Sequence, residues 1–319
     1  MIIDKKDLKI LFMGTPDFAK ASLEALVKSG YNVIGVFTNP DKPSGRGMKV
    51  TMSPVKQFCI ENSIEVFQPQ KLRNNPQIIE ILDDLKPNLI CVTAYGKILP
   101  KEVLDYPKYG AINVHGSLLP KYRGAAPIQW SIINGDNITG ITTMYMDEGM
   151  DTGDMLLKEK VEITSSDNFE SLHDKMKIVG AKLLVKTIDK LCKDELQRVK
   201  QSSEYTLAPM IDKDLGKLDF NKTSVELYNL IRGLCPTPGT YFFDNVGKRY
   251  KVYKINYYEN DNNKNVLNGT IINITKDKLS IKCKNGYIDI IIIQPENSKK
   301  MDVCEFLKGS KFKIGDILN

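Results

Sequence analysis

The sequence predicts an α/β protein in two parts, a mainly parallel, helix-covered sheet followed by a small β-barrel. Three observations carry this. The 319 residues exceed what one hydrophobic core usually serves. Strand and helix patterns alternate through the first part, as crossover connections in a parallel sheet require. Beyond residue 220 short strands separated by turn residues dominate, the pattern of a small barrel.

Taken in order, "KILFMG" (9–14) reads as a buried strand. "PDFAKASLEALVKSG" (16–30) reads as a helix with proline in its first turn and glycine at its end. "YNVIGVFT" (31–38) is the next strand, and a helix over 75–87 leads into a strand over 88–96. "GAINVH" (110–115) is another apolar strand, followed by a helix at 127–135. The β-branched "ITGITTMYMD" (138–147) and a helical period over 168–193 complete the first part. Ligands of such sheets bind beyond the carboxyl ends of the strands, where chain order reverses. The polar, turn-rich stretch over 200–220 reads as a connection between the parts. We expect a first domain over 1–203, a linker over 204–212 and a second domain over 213–319. The second holds one helix (224–234), strands near 239–243, 248–259, 269–274, 278–283 and 286–294, and a short helix at 301–309.

Composition excludes several classes. Hydrophobic residues at 42% and charged residues at 26% are ordinary for a globular protein. The start lacks the apolar region and cleavage site of a secretory signal. The longest apolar run, "IDIIIIQP" (288–295), is strand-sized and falls short of the ~20 residues that span a bilayer. Six cysteines without a C-x-x-C pair argue against a zinc site or disulfide framework, and for a reducing compartment. A cytoplasmic protein is expected, without a membrane partner. Residues 206–319 carry 18 Lys/Arg against 13 Asp/Glu, a surplus of +5, whereas the first 205 carry 27 against 26. A basic second part suits a polyanionic partner, and equally a solvated lysine-rich surface.

The first strand-to-helix turn, "LFMGTPDF", has one glycine where a dinucleotide fingerprint needs three, which disfavours an oxidoreductase. The stretch "TNPDKPSGRGMKVTMSP" (38–54) is a cationic loop with Lys42, Arg46 and Lys49, on the edge where such sheets bind ligands. One of only two histidines, His115, lies in "INVHGSLLPKYRG" (112–124). Asn113 and His115, two apart on a strand, project from one face near its carboxyl end. An amide donor beside an imidazole can hold a developing oxyanion and manage a proton. "MDEGMDTGDM" (146–155) adds Asp147, Asp151 and Asp154, any of which could orient the imidazole. On spacing alone, His115 serves equally as a satisfied structural residue and the aspartates as turn caps.

"INVHGSLLPKYRGAAPIQWSIINGD" joined to "GITTMYMDEGMDTGDML" resembles the signature of the 10-formyltetrahydrofolate-dependent formyltransferases. "LFMGTPDFA", "NPDKPSGRG", "SPVK", "AYGKILP" and "RGLCPTPG" extend the resemblance over essentially the whole chain, and are similar to members that formylate methionyl-initiator tRNA. One departure is Thr237, where that family frequently has tryptophan. The resemblance implies a Rossmann-like catalytic domain and a C-terminal OB-type barrel that binds tRNA. It implies 10-formyltetrahydrofolate as a consumed co-substrate, no metal, and methionyl-initiator tRNA as acceptor. It maps the catalytic set onto Asn113, His115 and Asp151, and the folate segment onto Ser117, Leu118, Leu119 and Pro120. It places Arg46 near the tRNA acceptor end, with Lys42 and Lys49 beside it. Lys248, Arg249, Lys251 and Lys254 are the expected barrel contacts, and a monomer is expected. Two alternatives stay open: a relative formylating a sugar nucleotide or glycinamide ribonucleotide, and a folate- or RNA-binding protein without catalysis.

Overall fold

The structure, a computed structural model, describes residues 2–44, 49–260 and 265–319. It has two compact units. The first comprises Met1–Ala125, Ile138–Glu162 and His173–Ala208, and the second Ala126–Asn137, Ile163–Leu172 and Pro209–Asn319.

The first unit is built on a sheet of seven strands. In chain order its elements begin β1 (Lys9–Gly14), α1 (Asp17–Lys28) and β2 (Asn32–Phe37). A hairpin of β3 (Lys42–Ser44) and β4 (Lys49–Thr51), then α2 (Pro54–Glu61), β5 (Val66–Phe67) and α3 (Pro76–Leu85) follow. Next come β6 (Leu89–Thr93), α4 (Lys101–Leu104), β7 (Ala111–His115), β8 (Ile138–Tyr145), β9 (Met155–Glu162) and, from His173 onward, the long α6 (Phe169–Cys192). The sheet order is β5-β2-β1-β6-β7-β8-β9. The first five strands in that order pair in parallel, as the alternating pattern predicts. β8 runs antiparallel to β7, and β9 antiparallel to β8.

The parallel strands are all but continuous apolar runs because helices cover both faces. β1 and β6 are buried almost throughout. β9 escaped sequence reading for the opposite reason. Its "KEK" centre is exposed at the sheet edge, where charge discourages further pairing. α2 carries no sequence expectation either, and only its first residue, Pro54, belongs to the cationic stretch. Ser53 caps it by accepting from the Lys56 N–H, and Pro54 opens its first turn. Strand order reverses between β1 and β6, next to β7, and it is beyond the carboxyl ends of the strands at such a reversal that sheets of this kind bind ligands. Gly14 ends β1 there. A Cβ on it would lie 2.8 Å from the Thr93 carbonyl oxygen and 2.6 Å from Ala19 Cβ. The glycine therefore serves close strand and helix packing.

The second unit contains α5 (Pro127–Ile133), a 3₁₀ turn at Asp214–Gly216, and α7 (Ser224–Leu234). Its strands are β10 (Thr240–Phe243), β11 (Arg249–Tyr258), β12 (Ile271–Ile274), β13 (Leu279–Cys283), β14 (Gly286–Pro295) and β15 (Met301–Asp302), before α8 (Val303–Leu307). The order is β10-β11-β14-β13-β12, all antiparallel, with β15 on β14. Leu227, Leu230 and Leu234 of α7 pack with Phe242, Val252, Ile281, Ile288 and Ile290 in one core. No β-ladder joins β12 to β10 among the described residues. The C-terminal residues lie between them instead. The Ile271 N–H donates to the Asp316 carbonyl at 2.8 Å, the Leu318 N–H to Gly269 at 2.9 Å, and Asn319 and Phe243 exchange bonds of 2.9 and 2.6 Å.

Candidate active site at the end of strand β7

β7 sits between β6 and β8, with Asn113 opposite Val92 on one side and Met144 on the other. Two residues on, at the strand's end, His115 is opposite Thr142 and only 5% exposed. Its Nε2 lies 2.9 Å from the Tyr122 carbonyl oxygen. Since a carbonyl only accepts, that nitrogen carries the proton, and the bond fixes the ring's orientation. The other nitrogen, Nδ1, lies 3.5 Å from Oδ1 of Asp151. Asn113 is half-buried, and its amide makes no side-chain hydrogen bond among the described residues. It stays free to address a ligand.

The three aspartates of the β8–β9 loop separate by geometry. Asp147 caps its own turn, accepting from the Gly149 N–H at 3.1 Å and the Thr152 hydroxyl at 2.6 Å. The Asp154 carbonyl accepts the Tyr145 N–H, so that residue closes the loop through its backbone. Asp151 alone meets His115. Its φ of +53° is in the left-handed region, and its second oxygen, Oδ2, accepts from the Gly124 N–H at 2.9 Å. A non-glycine residue held there stores strain that its surroundings must offset. Gly153 permits the turn, because a Cβ on it would lie 1.9 Å from the Tyr145 carbonyl oxygen. The remaining histidine, His173 on α6, stands edge-on to Phe18 and near Asp17 and Asp174, far along the chain from this loop. Lys177 provides the positive charge between those two carboxylates.

The segment Ser117–Pro120 is held tightly from beneath. Thr142 Oγ1 donates to the Ser117 carbonyl at 2.7 Å and accepts from the Leu119 N–H at 3.1 Å. Lys158 Nζ donates to the Leu119 carbonyl at 2.5 Å, and the Ser117 hydroxyl to Lys121 at 2.5 Å. Partial burial pulls the Lys158 ammonium below its usual range. Leu119 packs with Met144 and Met155 in a small core of its own. Leu118 and Pro120 are left half-buried.

One contributor carried no sequence signal. Residues 205–208, in the polar stretch after α6, run along residues 120–124. The Tyr122 N–H donates to Thr206 Oγ1 at 2.9 Å. The Arg123 N–H donates to the Thr206 carbonyl at 2.9 Å, and the Ala208 N–H to the Arg123 carbonyl at 2.8 Å. The Arg123 guanidinium lies 4.4 Å over the Tyr205 ring.

Of the cationic loop, Lys42 is exposed. Arg46 lies outside the described residues, as does the side chain of Lys49. The base of the loop is fixed. Lys56 Nζ meets Asp41 Oδ2 at 2.5 Å, and the Gln68 amide donates to Asp41 Oδ1 and the Asn39 carbonyl, each at 2.9 Å. Those donors, Lys56 first, hold the Asp41 carboxyl below the usual range. In the second unit Lys248, Arg249 and Lys254 are exposed and Lys251 half-buried. Strict alternation would send Lys254 to the opposite face from Arg249 and Lys251. A bulge between Val252 and Lys254 inserts one residue, so Lys254 is exposed like Arg249.

This fold and site have relatives. The formyl transferase family model matches residues 8–188, and that of the formyl transferase C-terminal domain matches 210–311. The chain belongs to the formyl transferase family. Among similar full-length proteins are methionyl-tRNA formyltransferases. That of Acetivibrio thermocellus is 47% identical over 98% of this chain and 99% of its own. That of Caldanaerobacter subterraneus subsp. tengcongensis is 48% identical over 98% and 100%. Of solved structures, WlaRD, a sugar 3N-formyl transferase crystallised with dTDP and 5-N-formyl-THF, matches with a TM-score of 0.66. The match covers 92% of this chain and 99% of that one, at 21% identity. HypX from Aquifex aeolicus, solved with tetrahydrofolic acid, matches 96% of this chain and 50% of its own, at 16% identity and a TM-score of 0.61. Both show likeness of fold.

Proposed function

We propose that this chain transfers the formyl group of 10-formyltetrahydrofolate to the α-amino group of methionine on initiator tRNA, giving N-formylmethionyl-tRNA for translation initiation. The observation that carries the reading is the meeting of Asp151 and His115 beside the unengaged amide of Asn113, at the carboxyl end of β7. It stands in a chain whose full-length relatives at 47–48% identity bear the name of that activity.

The reaction forms a bond from the methionine nitrogen to the formyl carbon and breaks the bond from that carbon to the folate nitrogen. In between, the formyl oxygen becomes negative, the attacking amine must lose a proton, and the leaving nitrogen must gain one. Asn113 donates to the oxyanion, with His115 beside it. Tyr122 holds the far nitrogen of that ring, so its Nδ1 edge is the one turned to Asp151 and the reacting atoms. Asp151 orients that edge and relays the proton, with water completing the path. Ser117, Leu118, Leu119 and Pro120 form the folate segment. Leu118 and Pro120 offer apolar contact, while Ser117 and Leu119 hold the shape. The scheme rests on one amide donor, one imidazole and one carboxylate, and it uses no metal.

Residues 1–203 are read as the catalytic domain, 204–212 as linker and 213–319 as the tRNA-binding domain. An OB-type barrel is supported by the C-terminal residues, whose bonds to Gly269, Ile271 and Phe243 lie along the open edges of the antiparallel sheet. Arg46, Lys42 and Lys49 would address the acceptor end of the tRNA, where an arginine can meet phosphate and stack on unpaired bases. Lys248, Arg249, Lys251 and Lys254 would add phosphate contacts. The protein is read as a cytoplasmic monomer. Among the described residues no helix is long and apolar enough to cross a membrane. The test is an acceptor comparison. With 10-formyltetrahydrofolate as donor, methionyl-initiator tRNA should be formylated and an amino-sugar nucleotide or glycinamide ribonucleotide should not. Preference for either small acceptor would overturn the reading.

A further inference from the structure

Asp151 is held by more than its own carboxylate. The side-chain amide of Gln201 donates through Nε2 to the Asp151 carbonyl at 2.7 Å and to the Gly153 carbonyl at 2.8 Å. Its Oε1 accepts from Arg123 Nε at 3.0 Å. Arg123 is 8% exposed and immediately precedes Gly124, whose N–H binds Asp151 Oδ2. The contacts close a ring, from the Asp151 carbonyl through Gln201 to Arg123 and Gly124 and back to the Asp151 carboxylate. One primary amide thus ties the loop after β8 to the loop after β7, at the carbonyl of the left-handed Asp151 and again two residues on. Only an amide satisfies all three partners, because two of them need a donor and one an acceptor.

From this ring we propose that Gln201 is a positioning residue for catalysis, setting the Asp151–His115 separation; the proposal rests on the functional reading above. It touches neither of the reacting groups assigned above. The ring holds Asp151 through Gln201 and Gly124, and its Arg123 directly follows Tyr122, whose carbonyl holds the His115 end of the 3.5 Å contact. A misplacement of about 1 Å at a reacting group can cost on the order of a hundredfold in rate. Gln201→Met removes all three bonds at nearly constant length. Gln201→Glu keeps the acceptor for Arg123 but turns an oxygen toward two carbonyl oxygens.

The experiment has two arms, run on the full-length protein. In the kinetic arm, Gln201→Met and Gln201→Glu should each lower kcat by on the order of tenfold or more while KM for methionyl-tRNA stays near wild type. In an Asp151→Asn background, Gln201→Met should cost nothing further, because there is no longer a carboxylate to place. In the second arm, backbone amide exchange over residues 147–154 should quicken in Gln201→Met while exchange elsewhere in the sheet is unchanged. Losses that multiply between Gln201→Met and Asp151→Asn, or exchange that stays at the wild-type rate over 147–154, would overturn the proposal. Failure of the functional reading looks different. The wild-type protein would then leave methionyl-tRNA unformylated, while the exchange arm would still report whether Gln201 holds the loop.

Discussion

His115 Nδ1 and Asp151 Oδ1 stand 3.5 Å apart, although 36 positions separate the residues, one at the end of β7 and the other in the loop between β8 and β9. The gap exceeds an ordinary N–H···O bond, and a third atom can share the proton across it. Asp151→Asn should therefore lower kcat/KM for formyl transfer by about 10²–10⁴-fold, the range for a lost acid–base partner. Thermal stability should change little, because an Asn side-chain oxygen can still accept from the Gly124 N–H. Steady-state kinetics beside a melting curve checks both parts. Turnover near wild type would remove Asp151 from the mechanism.

Gly153→Ala tests the loop that presents Asp151. The added methyl would meet the Tyr145 carbonyl oxygen at 1.9 Å, so the turn must move. A loss of on the order of a hundredfold in kcat is expected, with a destabilisation of about 1–3 kcal/mol. Calorimetry and single-turnover rates measure the two effects separately.

The bulge in β11 makes a prediction about RNA. If Arg249, Lys251 and Lys254 contact phosphates, replacing each by Gln should weaken methionyl-tRNA binding and lower the salt slope by about 0.7–0.9 per contact. Filter binding across a range of salt concentrations reports the slope. A residue whose replacement leaves the slope unchanged makes no phosphate contact.

The helix α7 begins with a reciprocal cap. Thr223 Oγ1 accepts from the Glu226 N–H at 3.2 Å, and Glu226 Oε2 accepts from the Thr223 N–H at 2.8 Å and hydroxyl at 2.7 Å. Those bonds, the hydroxyl's first, lower the Glu226 pKa. A depressed carboxylate stabilises the fold above its unfolded pKa, about 4.3, and loses that contribution as the pH falls from there through the folded value. Thr223→Ala should cost ~1 kcal/mol at neutral pH. The difference from wild type should shrink in acid, as urea denaturation at both pH values would show.

Much of this molecule was legible in its residues because packing left period and punctuation behind. The apolar runs that became β1, β6 and β7 are buried almost throughout, and that of β2 over its second half. Pro16 and Gly30 lie at the limits of α1 as helix chemistry dictates. Asn113 and His115 could be paired from a spacing of two on a strand, whereas the choice of Asp151 over Asp147 and Asp154 could not. Spacing does not say which carboxylate a turn consumes, and Asp147 is spent on Thr152 and Gly149. Gln201 and Thr206 were illegible for a related reason. Polar residues in a turn-rich stretch look alike until tertiary structure lays them against Arg123 and Tyr122. β9 was hidden by the charges that protect an edge.

The most direct measurement is single-turnover transfer of labelled formyl from 10-formyltetrahydrofolate to methionyl-initiator tRNA by the wild-type protein and by Asn113→Ala. The Asn113 amide has no internal hydrogen bond to lose among the described residues, so its removal should leave the melting temperature near wild type. The transfer rate should fall by about 10²–10³-fold, the effect of losing one oxyanion donor. A variant that formylates at the wild-type rate, or a wild-type protein that formylates nothing, would contradict the account.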